Sequence, residues 1–196
     1  LLRLGWSYKD KEIFSLKESI ELFNLEGIGK SPSKLDMDRI LSINETYLKN
    51  TDIKKIFEYF VNYSEKFKTS IDTQSLKKIE TNFATFVNKA KTLENIYDNC
   101  KFVFEYKKIE FDSLISDNEK NLIKYFAKEI EKLTDSDIDK IKPLIDNIVK
   151  EKNIKFKDFG QPLRIVLTGS KFAPSINDII QCLGIEEVYK RISLYL

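Results

Sequence analysis

The feature that most constrains this chain is the spacing of its apolar residues. Leu76, Ile79, Phe83, Phe86, Ala90, Leu93 and Tyr97 follow one another by alternating steps of three and four. A helix of 3.6 residues per turn puts all seven on one seam, whereas a strand would scatter them over both faces. The pattern fits one long helix or two stacked ones. The same spacing recurs at Ile53, Ile56, Phe57, Phe60 and Val61, at Leu122, Ile123, Phe126, Ala127, Ile130 and Leu133, and at Ile138, Ile141, Leu144, Ile145, Ile148 and Val149. Only 102–104 and 109–111 resemble strands, and both are short enough to be loops or helix ends. The expected fold is all-α.

Start and stop signals divide these faces. Ser15-Leu16-Lys17-Glu18 and Ser116-Asp117-Asn118-Glu119 are capping boxes, in which serine and glutamate satisfy each other's free backbone N–H groups. Asp36 opens a helix expected to end near Tyr47, and Thr134 to Asp137 reads as a further start. Pro143 either kinks the segment after it or marks its true first turn. Residues 1–6 read as the end of an apolar helix stopped near Gly5. Because the chain opens on Leu1 inside such a pattern, it reads as part of a longer protein.

Towards the C-terminus comes Gln161-Pro162-Leu163-Arg164, running to Thr168-Gly169. Pro162 suits a first helical position, where its missing N–H costs nothing, and Gly169 and Gly184 suit helix ends. Leu163, Val166 and Leu167 share a face, which leaves Arg164 on the other. Pro174 then sets up a second short helix reaching Leu183.

The residue inventory excludes much chemistry. With no histidine among 196 residues, the commonest general base and zinc ligand are missing, together with Ser-His and Cys-His nucleophile pairs. Cys100 and Cys182 stand apart without metal-ligand spacing, and no apolar run approaches membrane-spanning length. The net charge of +2 is uninformative, but only four of the 33 basic residues are arginine: Arg3, Arg39, Arg164 and Arg191. Arginine's planar fork suits bidentate recognition, so these four positions carry more information than the lysines.

Several local signals have simpler readings. Gly27-Ile28-Gly29-Lys30-Ser31 resembles the tail of a phosphate loop, but Asn24 stands where another glycine is needed and Pro32 follows, so it reads as a turn. Thr168-Gly169-Ser170-Lys171 could bind an anion, yet a plain helix stop suffices. Lys77, Lys78, Lys89 and Lys91, with Tyr63, Phe67 and Tyr106, could track a nucleic-acid backbone. In so lysine-rich a chain, a solvated lysine face on an ordinary helix is the better reading. Asp135, Asp137 and Asp139 read as helix N-terminal charge rather than as a cation site.

Taken together, Leu1 to Ser7, Glu12 to Ser15, Phe23 to Ile28, Ser31 to Asp36, Ile43 to Tyr47, Ala90 to Leu93, Gln161 to Gly169, Pro174, Leu183-Gly184 and Arg191-Ile192 resemble, in order, the C-terminal half of bacterial-type glutamyl-tRNA synthetases. The resemblance is specific at both ends and loose over 50–155. It implies the architecture of a class I synthetase's anticodon-binding region, a helical bundle or cage of two packed subdomains. Residues 1–48 would end the stem-contact region, and 49–110 and 111–196 would be the two subdomains.

The HIGH and KMSKS-type motifs are absent from this chain. The resemblance therefore implies a non-catalytic part with no cofactor of its own, belonging to a parent that joins glutamate to tRNA using ATP and magnesium. The implied partner is tRNA(Glu), with tRNA(Gln) left open. Neither DNA nor a membrane is implied, and the parent is expected to be a cytoplasmic monomer.

Position by position, the family's Pro-Leu-Arg arginine is Arg164. Its third-base arginine is replaced by Lys89, which keeps the charge without the fork. Pro174 and Ile176 are the implied apolar support for a base, Asn177 stands where the family can have phenylalanine, and Lys171 and Arg191 are candidate phosphate contacts. The rival readings are a helical protein-interaction scaffold, which would show no preference among tRNAs, and a free-standing enzyme, against which the missing histidine and ATP motifs argue.

Overall fold

Both serine capping boxes open helices where the sequence places them. In the computed structural model, which describes residues 4–30, 32, 34–108 and 115–196, helix α1 (Leu16–Leu22) starts at Ser15 and α2 (Met37–Asn50) at Asp36. Both belong to a first compact unit, Leu1–Thr51; Asp52–Leu196 forms a second.

The first unit is arranged around Trp6, which is 4% exposed. Its ring meets Tyr8, Phe14 and Phe23, and its Nε1 donates to Asn24 O at 3.0 Å. Residues 4–6 are turn and bridge, not helix, and Trp6 pairs with Ile28. That pairing explains the glycine-rich stretch. Gly29 N donates to Gly5 O, Ile28 N to Leu25 O and Gly27 N to Asn24 Oδ1. Amides that a phosphate would need are already bonded, so the turn reading holds.

The second unit begins with α3 (Ile53–Phe67), α4 (Thr73–Thr81), α5 (Phe83–Val87) and α6 (Leu93–Cys100), followed by a 3₁₀ turn at Lys101–Val103. The seam from Leu76 to Tyr97 is thus three short helices, not one or two. Asn82 leaves helical geometry at φ −108°, ψ 12°, and Thr92 caps α6 by accepting from Asn95 N. The buried face stays continuous across these breaks, with Ile79, Phe83, Phe86, Ala90 and Tyr97 all inside. Phe83 packs edge-on against Phe57 and tilted against Phe60.

Then come α7 (Asp117–Ile130), a 3₁₀ turn at Asp135–Lys140, and α8 (Ile141–Glu151), whose first turn contains Pro143. The chain closes with α9 (Phe156–Thr168), α10 (Ile176–Leu183) and α11 (Ile185–Ser193).

Helix α9 is central. It packs against α7, α8, α10, α11 and the 3₁₀ turn at 101–103, and it buries Phe159, Leu163, Ile165, Val166 and Leu167. Each such side chain stabilises the fold by ~1.5–3 kcal/mol. Pro162 lies inside this helix, two turns from its start, rather than at its head. The helix begins earlier because Phe159 carries the buried face back from Leu163 towards the start, and Lys155 N donates to Asp158 Oδ2 at 3.2 Å. The proline leaves the Asp158 carbonyl without its usual donor.

Among the described residues the secondary structure is helical apart from the single bridge. No described helix is long and apolar enough to cross a membrane. The strand-like stretch at 109–111 lies outside the described residues.

Candidate nucleic-acid interface

Sorting the arginines isolates one of them. Arg3 is outside the described residues. Arg39 is paired with Glu12. Arg191 is 3% exposed, with Nε on Glu187 Oε1 at 2.8 Å and Nη1 on the carbonyls of Phe102 (2.9 Å) and Leu167 (2.7 Å). Its guanidinium also lies over the Tyr106 ring at 4.2 Å. Arg191 therefore ties the end of α9 to the 101–103 turn, and the expectation that it contacts phosphate is corrected: the side chain is sealed inside, with Nε and Nη1 already bonded there.

Arg164 differs. Its Nε donates to Pro174 O at 3.2 Å, which fixes the side chain against the loop after α9. Among the described residues Nη1 and Nη2 have no hydrogen-bond partner, and no buried side-chain nitrogen is left unsatisfied. The two outer nitrogens therefore reach solvent. The side chain is half-buried, with Leu163, Val166 and Leu167 sealed on the opposite face. The fork is held at one edge and open at the other, an arrangement suited to a planar acceptor pair.

The adjoining loop is stiffened by its own hydroxyls. Gly169 ends α9 at φ 76°, the left-handed geometry that a side chain disfavours, and its N–H donates to Ile165 O. The Thr168 hydroxyl donates to Arg164 O at 2.8 Å and accepts from Ser170 N at 3.1 Å. The Ser170 hydroxyl donates to Phe172 O and accepts from Phe172 N, both at 3.0 Å. This is the helix stop expected of the segment. Lys171 is exposed on this loop.

Pro174 and Ile176 are both buried, and Ile176 is 2% exposed. They support the loop from beneath, so the expected apolar surface is not theirs to offer. Ile176 opens α10, where Ile179, Ile180 and Leu183 share its buried face, a spacing that the sequence already shows. The outward apolar group is Phe172, 91% exposed and overlooked by the sequence reading. With Ala173, Ser170, Gly169 and Thr168 it forms one wall of a cleft of about 440 Å³; Asp98, Lys101, Phe102, Glu105 and Lys107 form the other. Burial pulls the Glu105 carboxyl upward, but hydrogen bonds from Lys101 and Tyr97 prevail and hold it below the usual carboxylate range.

Lys89 is exposed in the turn after α5, and among the described residues no hydrogen bond or ion pair joins it to Arg164. Lys78 points inward, donating to Leu183 O at 3.3 Å. Tyr106 is unavailable for stacking, because its hydroxyl bonds Val166 O at 2.8 Å and Tyr195 Oη at 3.1 Å while Arg191 covers its ring. Burial, reinforced by Tyr195, raises that phenol well above its ordinary value. Asp135 and Asp137 serve as caps, accepting from Ile185 N and Thr134 N. Among the described residues no cluster of His, Cys, Asp and Glu could hold a metal ion.

A helical array with one edge-anchored arginine beside a rigid loop is the class of fold and site that this chain presents. The comparisons specify it: residues 50–196 match the anticodon binding domain family, and the chain belongs to that family. It is 49% identical over 198 residues to the glutamate–tRNA ligase of Pelagibacter ubique and 34% identical over 201 residues to that of Wigglesworthia glossinidia brevipalpis. These alignments cover 98% and 99% of this chain but only 42% and 41% of those proteins, so the chain spans less than half of their length. It corresponds to their C-terminal anticodon-binding portion and not to the catalytic domain. The fold is shared with a glutamate–tRNA ligase structure from Elizabethkingia meningosepticum (TM-score 0.77, 24% identity, 98% of this chain and 38% of that one). A glutamate–tRNA synthetase from Elizabethkingia anophelis gives 0.73, with 23% identity over the same shares.

Proposed function

We propose that this chain is the anticodon-arm recognition module of a glutamate–tRNA ligase. The observation that carries this reading is the Arg164 fork, anchored through Nε to Pro174 O with both outer nitrogens in solvent. An unpaired anticodon base exposes its hydrogen-bonding edge, and a guanidinium held in one plane can donate two parallel bonds to it. Arg164 reads a base. Lys89 and Lys171, both exposed, neutralise backbone phosphates or, in the case of Lys89, contact a second base.

Residues 1–48 act as the end of a stem-contact region, and 49–110 and 111–196 as two helical recognition parts. The chemistry itself, joining glutamate to tRNA at the expense of ATP with magnesium, belongs to a catalytic domain outside this sequence. The partner is tRNA(Glu), bound by a monomer in the cytoplasm.

The test is a salt series of anisotropy titrations with labelled tRNA(Glu), tRNA(Gln) and an anticodon-swapped tRNA(Glu). Wild type prefers tRNA(Glu) at every salt concentration. Arg164→Ala loses ~1–3 kcal/mol and most of that preference. Lys171→Ala weakens all three RNAs alike and lowers the salt slope by about one. Equal affinity of the wild type for cognate and swapped anticodons refutes the reading.

A further inference from the structure

We propose that Phe172 is a stacking platform for an unpaired nucleobase beside the one that Arg164 reads. This rests on the anticodon-arm reading and adds a residue that contributes in a different way. Arg164 discriminates and Phe172 holds.

A lone exposed apolar side chain is ordinary on a protein surface, so exposure by itself decides nothing. Three further facts do. First, the backbone under Phe172 is fixed on both sides, since the Ser170 hydroxyl bonds its N–H and its carbonyl, and Thr168 locks Ser170 in turn. The ring is presented by a rigid turn, so little backbone freedom is lost when something lands on it. Second, Phe172 lies two residues before Pro174, whose carbonyl anchors Arg164. One short loop thus joins a flat apolar surface to a fork of donors, the two elements that single-stranded recognition combines. Third, Lys171 is exposed alongside, and Phe172 lines a cleft of about 440 Å³, within the size range of small-ligand sites. The opposite wall carries Lys101 and Lys107 as cations. Its acidic members are Glu105, paired with Lys101 at 3.2 Å, and Asp98. Those carboxylates can accept from the exocyclic amine of a base, so the occupant favoured here is a nucleobase rather than an acidic peptide.

Stacking also separates this role from that of Arg164. Every base has a π-face, so a platform adds affinity without strong sequence preference.

The experiment places 2-aminopurine at each anticodon-loop position of a tRNA(Glu) stem-loop in turn and titrates it with wild type, Phe172→Ala, Phe172→Leu, Phe172→Trp and Arg164→Ala. One labelled position is expected to be quenched on binding wild type and Phe172→Trp, but not Phe172→Ala or Phe172→Leu. Removing the ring lowers affinity about 5- to 150-fold, the range for loss of one stacked base, with equal effect on cognate and swapped anticodons. Because the side chain is almost fully solvent-exposed, unchanged circular dichroism is expected for the three Phe172 variants. If Arg164→Ala loses discrimination while Phe172→Ala binds like wild type, the platform is refuted and the anticodon reading stands. If Phe172→Leu binds as tightly as wild type and retains the quench, the ring acts as generic apolar surface and the proposal falls. If wild type binds no stem-loop above a scrambled hairpin, both fail.

Discussion

Replacing Arg191 with methionine tests whether that guanidinium is a structural tie. The change keeps an unbranched side chain of similar length and removes three hydrogen bonds and the stack on Tyr106. A hydrogen bond from a charged donor contributes ~1.5–3 kcal/mol, and a desolvated cation–π contact up to about 2 kcal/mol. Against this, methionine avoids the cost of burying a charge. Removing one member of a buried pair typically costs ~3–5 kcal/mol. Here the lower end applies, because the Glu187 side chain is 30% exposed and keeps Lys190 at 3.9 Å, so it rehydrates readily. What cannot rehydrate are the Phe102 and Leu167 carbonyls, the latter in the last turn of α9 where no helical N–H reaches it. A loss of about 3 kcal/mol corresponds to a melting point lowered by roughly 6–12 °C for a chain of this size. Thermal melts and urea titrations of Arg191→Met and Arg191→Lys measure this. A methionine variant melting within about 2 °C of wild type refutes the reasoning. A variant with intact stability and a reduced salt slope for RNA would restore Arg191 as a phosphate contact.

Gly184 stands at φ 82°, ψ 160°, a region reserved for glycine, and a Cβ there would come within 3.1 Å of both Asp135 carboxylate oxygens; Gly184→Ala should cost ~1–3 kcal/mol by urea unfolding, and an Asp135→Ala background should reduce that penalty. Hydrogen bonds from Lys140 and then from Thr134 hold the Asp137 carboxyl down at about 2, from an ordinary value of 3.8. A depressed carboxylate adds stability above its unfolded value and loses it as pH falls through the folded one, so between about pH 4 and 2 Asp137→Asn should show a shallower decline in melting point than wild type. Burial raises the Cys182 thiol to about 11 and the Cys100 thiol further; with so little thiolate at pH 8, both should resist a disulfide reagent until denaturant is added, and rapid labelling of the native chain would contradict their burial.

Helix starts were legible because capping is local: Ser15, Asp36 and Ser116 each carry their chemistry within three residues. Periodicity identified the buried seam from Leu76 to Tyr97 but not its breaks, since residues on one face keep their spacing across a short interruption. Pro162 misled because its preference for a first turn competes with packing, and the burial of Phe159 and Leu163 outweighs it. Arg191 was misjudged by residue type. Its position beside Val188 and Ile192 puts it on the buried face of α11, a signal present in the spacing. Pro174 and Ile176 show the reverse failing of reading a site from resemblance, since the spacing of Ile176 with Ile179, Ile180 and Leu183 already marks a core position. Phe172 had no such signal, because exposure in a loop obeys no period. Only the folded turn shows which way it faces.

The bond from Arg164 Nε to Pro174 O has a consequence for how fast and how cleanly the fork can act. A long side chain arrested on docking forfeits about 0.5–1.5 kcal/mol of motional freedom. Here most of that forfeit falls when the polypeptide collapses, long before any encounter. Under the proposed anticodon-arm reading, a nucleobase would meet donors already aimed, and one whose acceptors are misplaced by an ångström would find no swinging cation to accommodate it.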